Sequence, residues 1–103
     1  MDRPPADAAP VRHVCLFKLK RPLTEADRAE LERYTAELRA ADPAILEYRF
    51  VDNGARKSQG YTLVLDSVFA SRTAIAAYVR TPLHDALAAF MDGFVADTVV
   101  ADY

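Results

Sequence analysis

The sequence predicts a single α+β domain whose elements follow one another in the order β-α-β-β-α-β. Three observations lead to this prediction. Short apolar segments at both ends and in the middle of the chain have the length of β-strands. Two longer segments instead repeat apolar residues at the spacing of a helix. The chain of 103 residues is also close to the common size of one domain, so no second domain is expected.

The first half of the chain contains a strand and a long helix. The strand is expected over residues 11–20, where apolar side chains occupy both alternating positions. Thr24 has the side chain of an N-cap, and acidic residues follow it where the helix dipole favours negative charge. Apolar residues recur at helical spacing from Leu31 to about residue 41, and Pro43 then ends the helix.

The second half contains three more strands and a divided helical region. Strands are expected over residues 45–51 and 61–68, on either side of a loop that begins with an Asn-Gly turn. Ser71 can cap a short helix, and Pro82 suits the first turn of another. Residues 97–103 are expected to form the closing strand.

The element order is the split arrangement of ferredoxin-like folds, in which one face of a four-stranded antiparallel sheet carries the helices. The first and third strands are apolar on both faces, yet the helices can cover only one. The other face would be a large exposed apolar patch on a single chain. We therefore expect a homodimer in which two sheets face each other, burying roughly 2,000 Å² or more in total.

Composition and charge exclude several classes of protein. The formal net charge is −2 and the pI is about 5.6, with no basic stripe that would hold nucleic acid. No apolar run is long enough to cross a bilayer, and residues 1–10 lack the apolar stretch of a secretory signal. We expect residues 1–10 to be a flexible tail, and the protein to be cytoplasmic with no membrane partner. Cys15, the only cysteine, cannot form an intramolecular disulfide and is expected in the core.

Tyr78 and His84 are the side chains that point most clearly to chemistry. One helical segment ends near Tyr78, a proline resets the backbone, and His84 lies in the opening turn of the next helix. A phenol and an imidazole held close together among apolar residues can perform acid-base chemistry at neutral pH. The same pair could also be a packing corner without chemistry.

Four segments together resemble a known family. They are VRHVCLFKLK at residues 11–20, GYT at 60–62, AYV and TPLH within 77–84, and VVADY at 99–103. In this order they resemble the stress-responsive dimeric α/β-barrel family, known as Dabb. The resemblance spans residues 11–103 and implies a homodimeric barrel of two ferredoxin-like subunits.

The resemblance also implies roles for individual residues. Plant members that act as polyketide cyclases use a tyrosine and a histidine in a pocket between helices and sheet, and these roles fall on Tyr78 and His84. His13 matches a histidine that lines the pocket of those cyclases. Leu63 and Thr81 stand where cyclases or other members have further histidines. The resemblance therefore implies a pocket with fewer polar groups.

Two functions follow from this expected pocket, whose lining is expected to be His13, Phe17, Leu63, Tyr78 and His84. In the first, the protein binds a small, largely apolar or aromatic molecule without performing chemistry. In the second, His84 removes a proton beside a carbonyl and Tyr78 stabilises the enolate, which leads to aldol or Claisen closure. An open cavity on which Tyr78 and His84 converge would favour the enzyme. A closed cavity with His84 bonded to backbone would favour the binding protein.

Neither function is expected to need a cofactor. The histidines and acidic residues do not have the spacing of metal ligands. The glycines occur singly at turns and at a helix end, so no glycine-rich loop is present to hold a phosphate.

Overall fold

The structure is a computed structural model that describes residues 9–103. Seven elements occur within these residues: β1 (Val11–Leu19), α1 (Glu25–Ala41), β2 (Ile45–Asp52), β3 (Tyr61–Phe69), α2 (Arg72–Tyr78), α3 (Pro82–Met91) and β4 (Val95–Asp102). The predicted order is confirmed, with the second helical region divided into two helices. The predicted tail lies mostly outside the described residues and stays a prediction.

The four strands form one antiparallel sheet in the order β2-β3-β1-β4. Strand β1 is central, and Cys15 pairs with Leu65 on one side and with Val100 on the other. Strand β4 begins at Val95, two residues before the predicted start, because Val95 still pairs with Leu19 beyond a bulge at Ala96 of β4. This topology confirms the predicted ferredoxin-like α+β class.

The hydrophobic core lies between the sheet and the helices. The odd-numbered residues of β1, and those of β3 from Leu63 onwards, face the helices, and most of them are buried. Helix α1 begins with the predicted cap, where Thr24 and Asp27 exchange side-chain and backbone hydrogen bonds in a capping box. It then buries Leu31, Tyr34 and Leu38 against the sheet.

The opposite face of the sheet carries no other element of the described chain. Its middle is apolar, and register places on it Val14, Leu16, Val51, Val64, Val99 and Ala101. Polar groups frame this middle at both ends. At one end the Asp66 carboxylate accepts hydrogen bonds from Arg12 and Arg49. At the other end the Tyr61 hydroxyl donates to Asp97. An apolar centre with a polar rim is the usual anatomy of a protein interface.

None of the helices formed by residues 9–103 has the length and apolarity needed to cross a membrane.

Candidate functional site

A cavity of about 260 Å³ lies on the helix side of the sheet. All four strands contribute to its wall, together with the end of α2 and one side of α3. Apolar and aromatic side chains make up most of the lining, as in pockets that bind small molecules. The volume is just below the range of about 300–1,000 Å³ typical of such pockets, which points to a small ligand.

The structure brings four of the five expected lining residues together. His13, Phe17, Tyr78 and His84 all line this cavity. Leu63 does not, because its side chain packs inside the core and is only 1% exposed. Leu65, which lies two residues further along the same face of β3, lines the cavity instead.

Thr81 holds the junction between α2 and α3 in place. Its hydroxyl donates a hydrogen bond of 2.8 Å to the backbone oxygen of Tyr78. The same hydroxyl accepts a hydrogen bond of 3.2 Å from the backbone N–H of His84, so Thr81 is the N-cap of α3. These two bonds hold the rings of Tyr78 and His84 with their centroids 4.7 Å apart.

The hydroxyl of Tyr78 has a buried partner. The phenolic oxygens of Tyr48 and Tyr78 lie 2.7 Å apart, and both side chains are almost completely buried. Burial raises the pKa of Tyr78 to about 12, while the hydrogen bond with Tyr48 acts in the opposite direction. Burial also raises the pKa of Tyr48. Both phenols are therefore protonated at neutral pH, and when Tyr48 donates to Tyr78, the proton of Tyr78 is free for a ligand.

His84 offers a polar atom that no other group occupies. Its Nδ1 atom is buried and has no hydrogen-bond partner among residues 9–103. The nearest carboxylate oxygen, on Asp85, is 3.9 Å away, which is too far for a hydrogen bond. Burial lowers the pKa of His84, and Asp85 opposes this shift. The imidazole is consequently neutral at pH 7 and can accept a proton.

His13 also lines the cavity, where it lies between a carboxylate and a thiol, and its ring centroid is 6.3 Å from that of Tyr78. Its Nδ1 atom is 2.6 Å from Oδ1 of Asp102 on β4, the residue that pairs with His13 in the sheet. Its Nε2 atom is 3.4 Å from Sγ of Cys15, two residues along β1. Cys15 is buried as expected, but it also lines the cavity.

Of the residues that form the polar contacts above, Cys15, Tyr48 and Asp102 were not predicted as site residues. The proximity of Cys15 to His13 has a signal in the sequence, since residues two apart on a strand share a face. Asp102 and Tyr48 have no such signal, because their positions depend on strand register and on a bulge. Within the described part of the chain, no group of three His, Cys, Asp or Glu side chains is placed to hold a metal ion.

Several solved structures are similar to this one. A crystal structure of an Arabidopsis thaliana protein shares 27% identity over 90% of this chain and 92% of that chain, with a TM-score of 0.77. A dimeric ferredoxin-like protein of unknown function from Jannaschia sp. shares 18% identity over 92% of this chain and 98% of that chain, with a TM-score of 0.79. Hydroxynitrile lyase from Passiflora edulis shares 18% identity over 93% of each chain, with a TM-score of 0.76.

No curated protein matches the chain. The family whose sequence profile matches is described as the stress responsive A/B barrel domain, Dabb, and the match covers residues 11–103. This range includes every strand and helix described above. The chain therefore belongs to the stress responsive A/B barrel domain family.

Proposed function

We propose that the protein is a homodimer in which each subunit binds a small, largely apolar molecule in the cavity between helices and sheet. The observation that carries this proposal is a cavity of about 260 Å³ whose wall is mainly apolar. A buried nitrogen without a partner, as in His84, costs free energy until a ligand or water satisfies it. His84 lines the cavity, so we expect a ligand with one polar group to place that group beside the imidazole.

The charge of the cavity wall indicates which ligands fit. Among the described residues, no lysine or arginine lines the cavity, whereas Asp92 does. An anionic ligand would lose its hydration there without gaining a cation, which is costly in an apolar site. The wall therefore suits an uncharged molecule, either aromatic or aliphatic, with a carbonyl or hydroxyl oxygen near Tyr78 and His84.

The homodimer is supported by the uncovered sheet face. Its apolar middle includes Val99, which is 46% exposed in the single chain. Similar structures from Bacteroides fragilis, Thermobifida fusca and Jannaschia sp. are described as dimeric. Packing two such faces together would remove this apolar surface from water. A role in stress responses and a cytoplasmic location stay predictions.

A second candidate function is an enzyme that transfers a proton on a carbonyl compound. It is favoured by the convergence of Tyr78 and His84 on one cavity and by the neutral imidazole of His84, whose Nδ1 atom has no partner among residues 9–103. His84 would take a proton from the carbon beside the carbonyl, and the Tyr78 hydroxyl would donate to the enolate oxygen. The resulting enolate could attack a second carbonyl of the same molecule, as in an aldol or Claisen closure.

A thermal-shift screen with uncharged aromatic ketones and polyketide-like compounds tests the binding function. We expect some ketones to raise the melting temperature, and their carboxylate analogues to have no effect. Ala88→Phe should abolish the shift, because Ala88 lines the cavity on an exposed side of α3. Ala89→Phe is the matched control, since Ala89 is the next exposed residue and does not line the cavity. A screen without binders, or binding that survives Ala88→Phe, would refute the proposal.

The enzymatic candidate requires a separate test with any ketone that binds. Turnover should be lost in His84→Ala and reduced in Tyr78→Phe. If His84→Ala turns over every accepted substrate as fast as the unchanged protein, this candidate is refuted and the binding function stands alone.

A further inference from the structure

A second group of reactive side chains lies beside the same cavity, where the ring centroid of His13 is 6.3 Å from that of Tyr78. Asp102, His13 and Cys15 form a continuous chain of contacts across β4 and β1, with distances of 2.6 Å and 3.4 Å. An ionised carboxylate can only accept hydrogen bonds, so Nδ1 of His13 must donate to Asp102. The Nε2 atom is then left as an acceptor that faces the thiol of Cys15.

This order of groups is the one that activates a thiol nucleophile. A base removes the thiol proton, and a third group orients the base and stabilises its charged form. Both His13 and Cys15 line the cavity, so a molecule inside it can reach the sulfur atom. Burial raises the pKa of Cys15 to about 12, so the thiol is protonated at neutral pH and depends on a neighbouring base.

We propose that Cys15 is a site of covalent modification by small uncharged electrophiles that carry a carbon–carbon double bond conjugated to a carbonyl, with His13 as its base. The proposal rests on the cavity of the proposed function. An independent feature of the cavity matches the carbonyl of such a molecule. His84 and Tyr78 both line this cavity, and we expect the carbonyl oxygen to lie beside their rings.

The addition needs no further reactant. The proton of the Cys15 thiol moves to Nε2 of His13 as the sulfur attacks the β-carbon of the electrophile. A sulfur–carbon bond forms, the electron pair of the double bond shifts towards the carbonyl, and its oxygen becomes an enolate. His13 then returns the proton to the α-carbon, which restores the carbonyl. The net reaction adds S–H across the double bond, and Asp102 acts as a positioning residue through His13.

Labelling with N-ethylmaleimide, followed by intact-protein mass spectrometry, tests this inference. We expect one adduct on the native protein, and none on Cys15→Ser. His13→Gln should slow the native reaction about a hundredfold or more, the lower end of what a general base contributes. Asp102→Asn should slow it as well, because it removes the acceptor that orients His13. In urea, where the site is lost, all thiol-containing forms should react at the same rate. For each variant, the labelling rate of the native protein is divided by its rate in urea. A change in this ratio separates activation of the thiol from a general loss of structure.

A maleimide attached to a polyethylene glycol chain is the matched probe for access. It is too large for the cavity, so it should label the unfolded protein and leave the native protein unmodified. Equal labelling of the native protein by both maleimides would overturn the proposal, because the thiol would then react only through unfolding. Native labelling that neither His13→Gln nor Asp102→Asn slows would also overturn it. If His13→Gln fails to fold, Asp102→Asn decides, since its side chain is 33% exposed at the sheet edge.

The two proposals fail in different ways. Reversible ketone binding without a maleimide adduct would refute the covalent site and leave the binding function intact. An adduct that depends on His13, in a protein that binds no ketone reversibly, would support the covalent site and count against the binding function.

Discussion

The hydroxyl groups of Tyr48 and Tyr78 form a buried hydrogen bond of 2.7 Å that joins strand β2 to the helix junction at the cavity. Tyr48 is 1% exposed and Tyr78 is 2% exposed, so water does not compete for this bond. The bond fixes the phenol of Tyr78 against the sheet, while Thr81 fixes its backbone. Together they set the position of one of the two polar groups available to a ligand.

Tyr48→Phe should destabilise the protein because it leaves the Tyr78 hydroxyl buried without a partner. The expected loss is about 1–3 kcal/mol of unfolding free energy, measured by urea denaturation. Tyr78→Phe should cost a similar amount. The double variant should cost less than the sum of the two, because no unpaired hydroxyl remains. Strictly additive losses would show that the two hydroxyls do not interact.

The burial of Tyr48 shows where sequence patterns stop being informative. A strand with regular alternation would bury Ile45 and Glu47, but a bulge between these residues shifts the phase of β2. Ile45 and Tyr48 are therefore both buried, three residues apart. A period of two cannot show an inserted residue, so Tyr48 has no signal of its own.

Some polar contacts of the site could be predicted from the sequence and others could not. Tyr78 and His84 could be predicted together because a short local turn connects them, and Thr81 fixes that turn. The contact between His13 and Asp102 joins strands at opposite ends of the chain. This contact depends on the pairing register of the two strands. Alternating apolar residues show which face of the sheet a residue lies on, but not which residue of the neighbouring strand it pairs with.

Thr81→Ala should weaken the start of α3, because Thr81 supplies the side-chain acceptor for the N–H of His84. We expect a loss of about 0.5–2 kcal/mol in urea denaturation. Thr81→Ser keeps the hydroxyl and should retain most of the stability, which makes it the matched control. Ketone binding should weaken with the alanine variant and recover with serine. Equal losses for alanine and serine would show that the methyl group, rather than the hydroxyl, holds the junction.

His84 should make stability depend on pH in a defined window. Burial lowers its folded pKa below the usual value of 6.5, so the unfolded chain takes up the proton first. Stability is therefore fully present above the unfolded pKa and falls as the pH drops through it towards the folded pKa. Urea denaturation between about pH 7.5 and about pH 5.5 should show this loss, since histidines titrate in that range.

His84→Gln is the comparison for this pH series. The variant lacks the imidazole, so its stability should change less over the same pH range. If both proteins lose stability in parallel, another group is responsible and the imidazole of His84 is not held neutral by burial.

Val99→Glu should dissociate the proposed homodimer. Val99 lies on the apolar middle of the uncovered sheet face, opposite Leu16 in the register of β1 and β4. It is already 46% exposed in the single chain, so glutamate should leave the subunit folded. In a face-to-face dimer, however, it would bury a carboxylate without a partner, which is strongly unfavourable. Sedimentation velocity at micromolar concentration should show a dimer for the unchanged chain and a monomer for this variant.

The matched control is Val79→Glu, which places the same charge on a valine of similar exposure, 42%, at the end of α2. Because the helices cover the other face of the sheet, this variant should still sediment as a dimer. Circular dichroism should confirm that both variants are folded. A folded monomer already present in the unchanged protein at micromolar concentration would contradict the homodimer. A dimer that survives Val99→Glu would place the interface on another surface. The uncovered sheet face around β1 and β4 could not then pack against the same face of a second subunit.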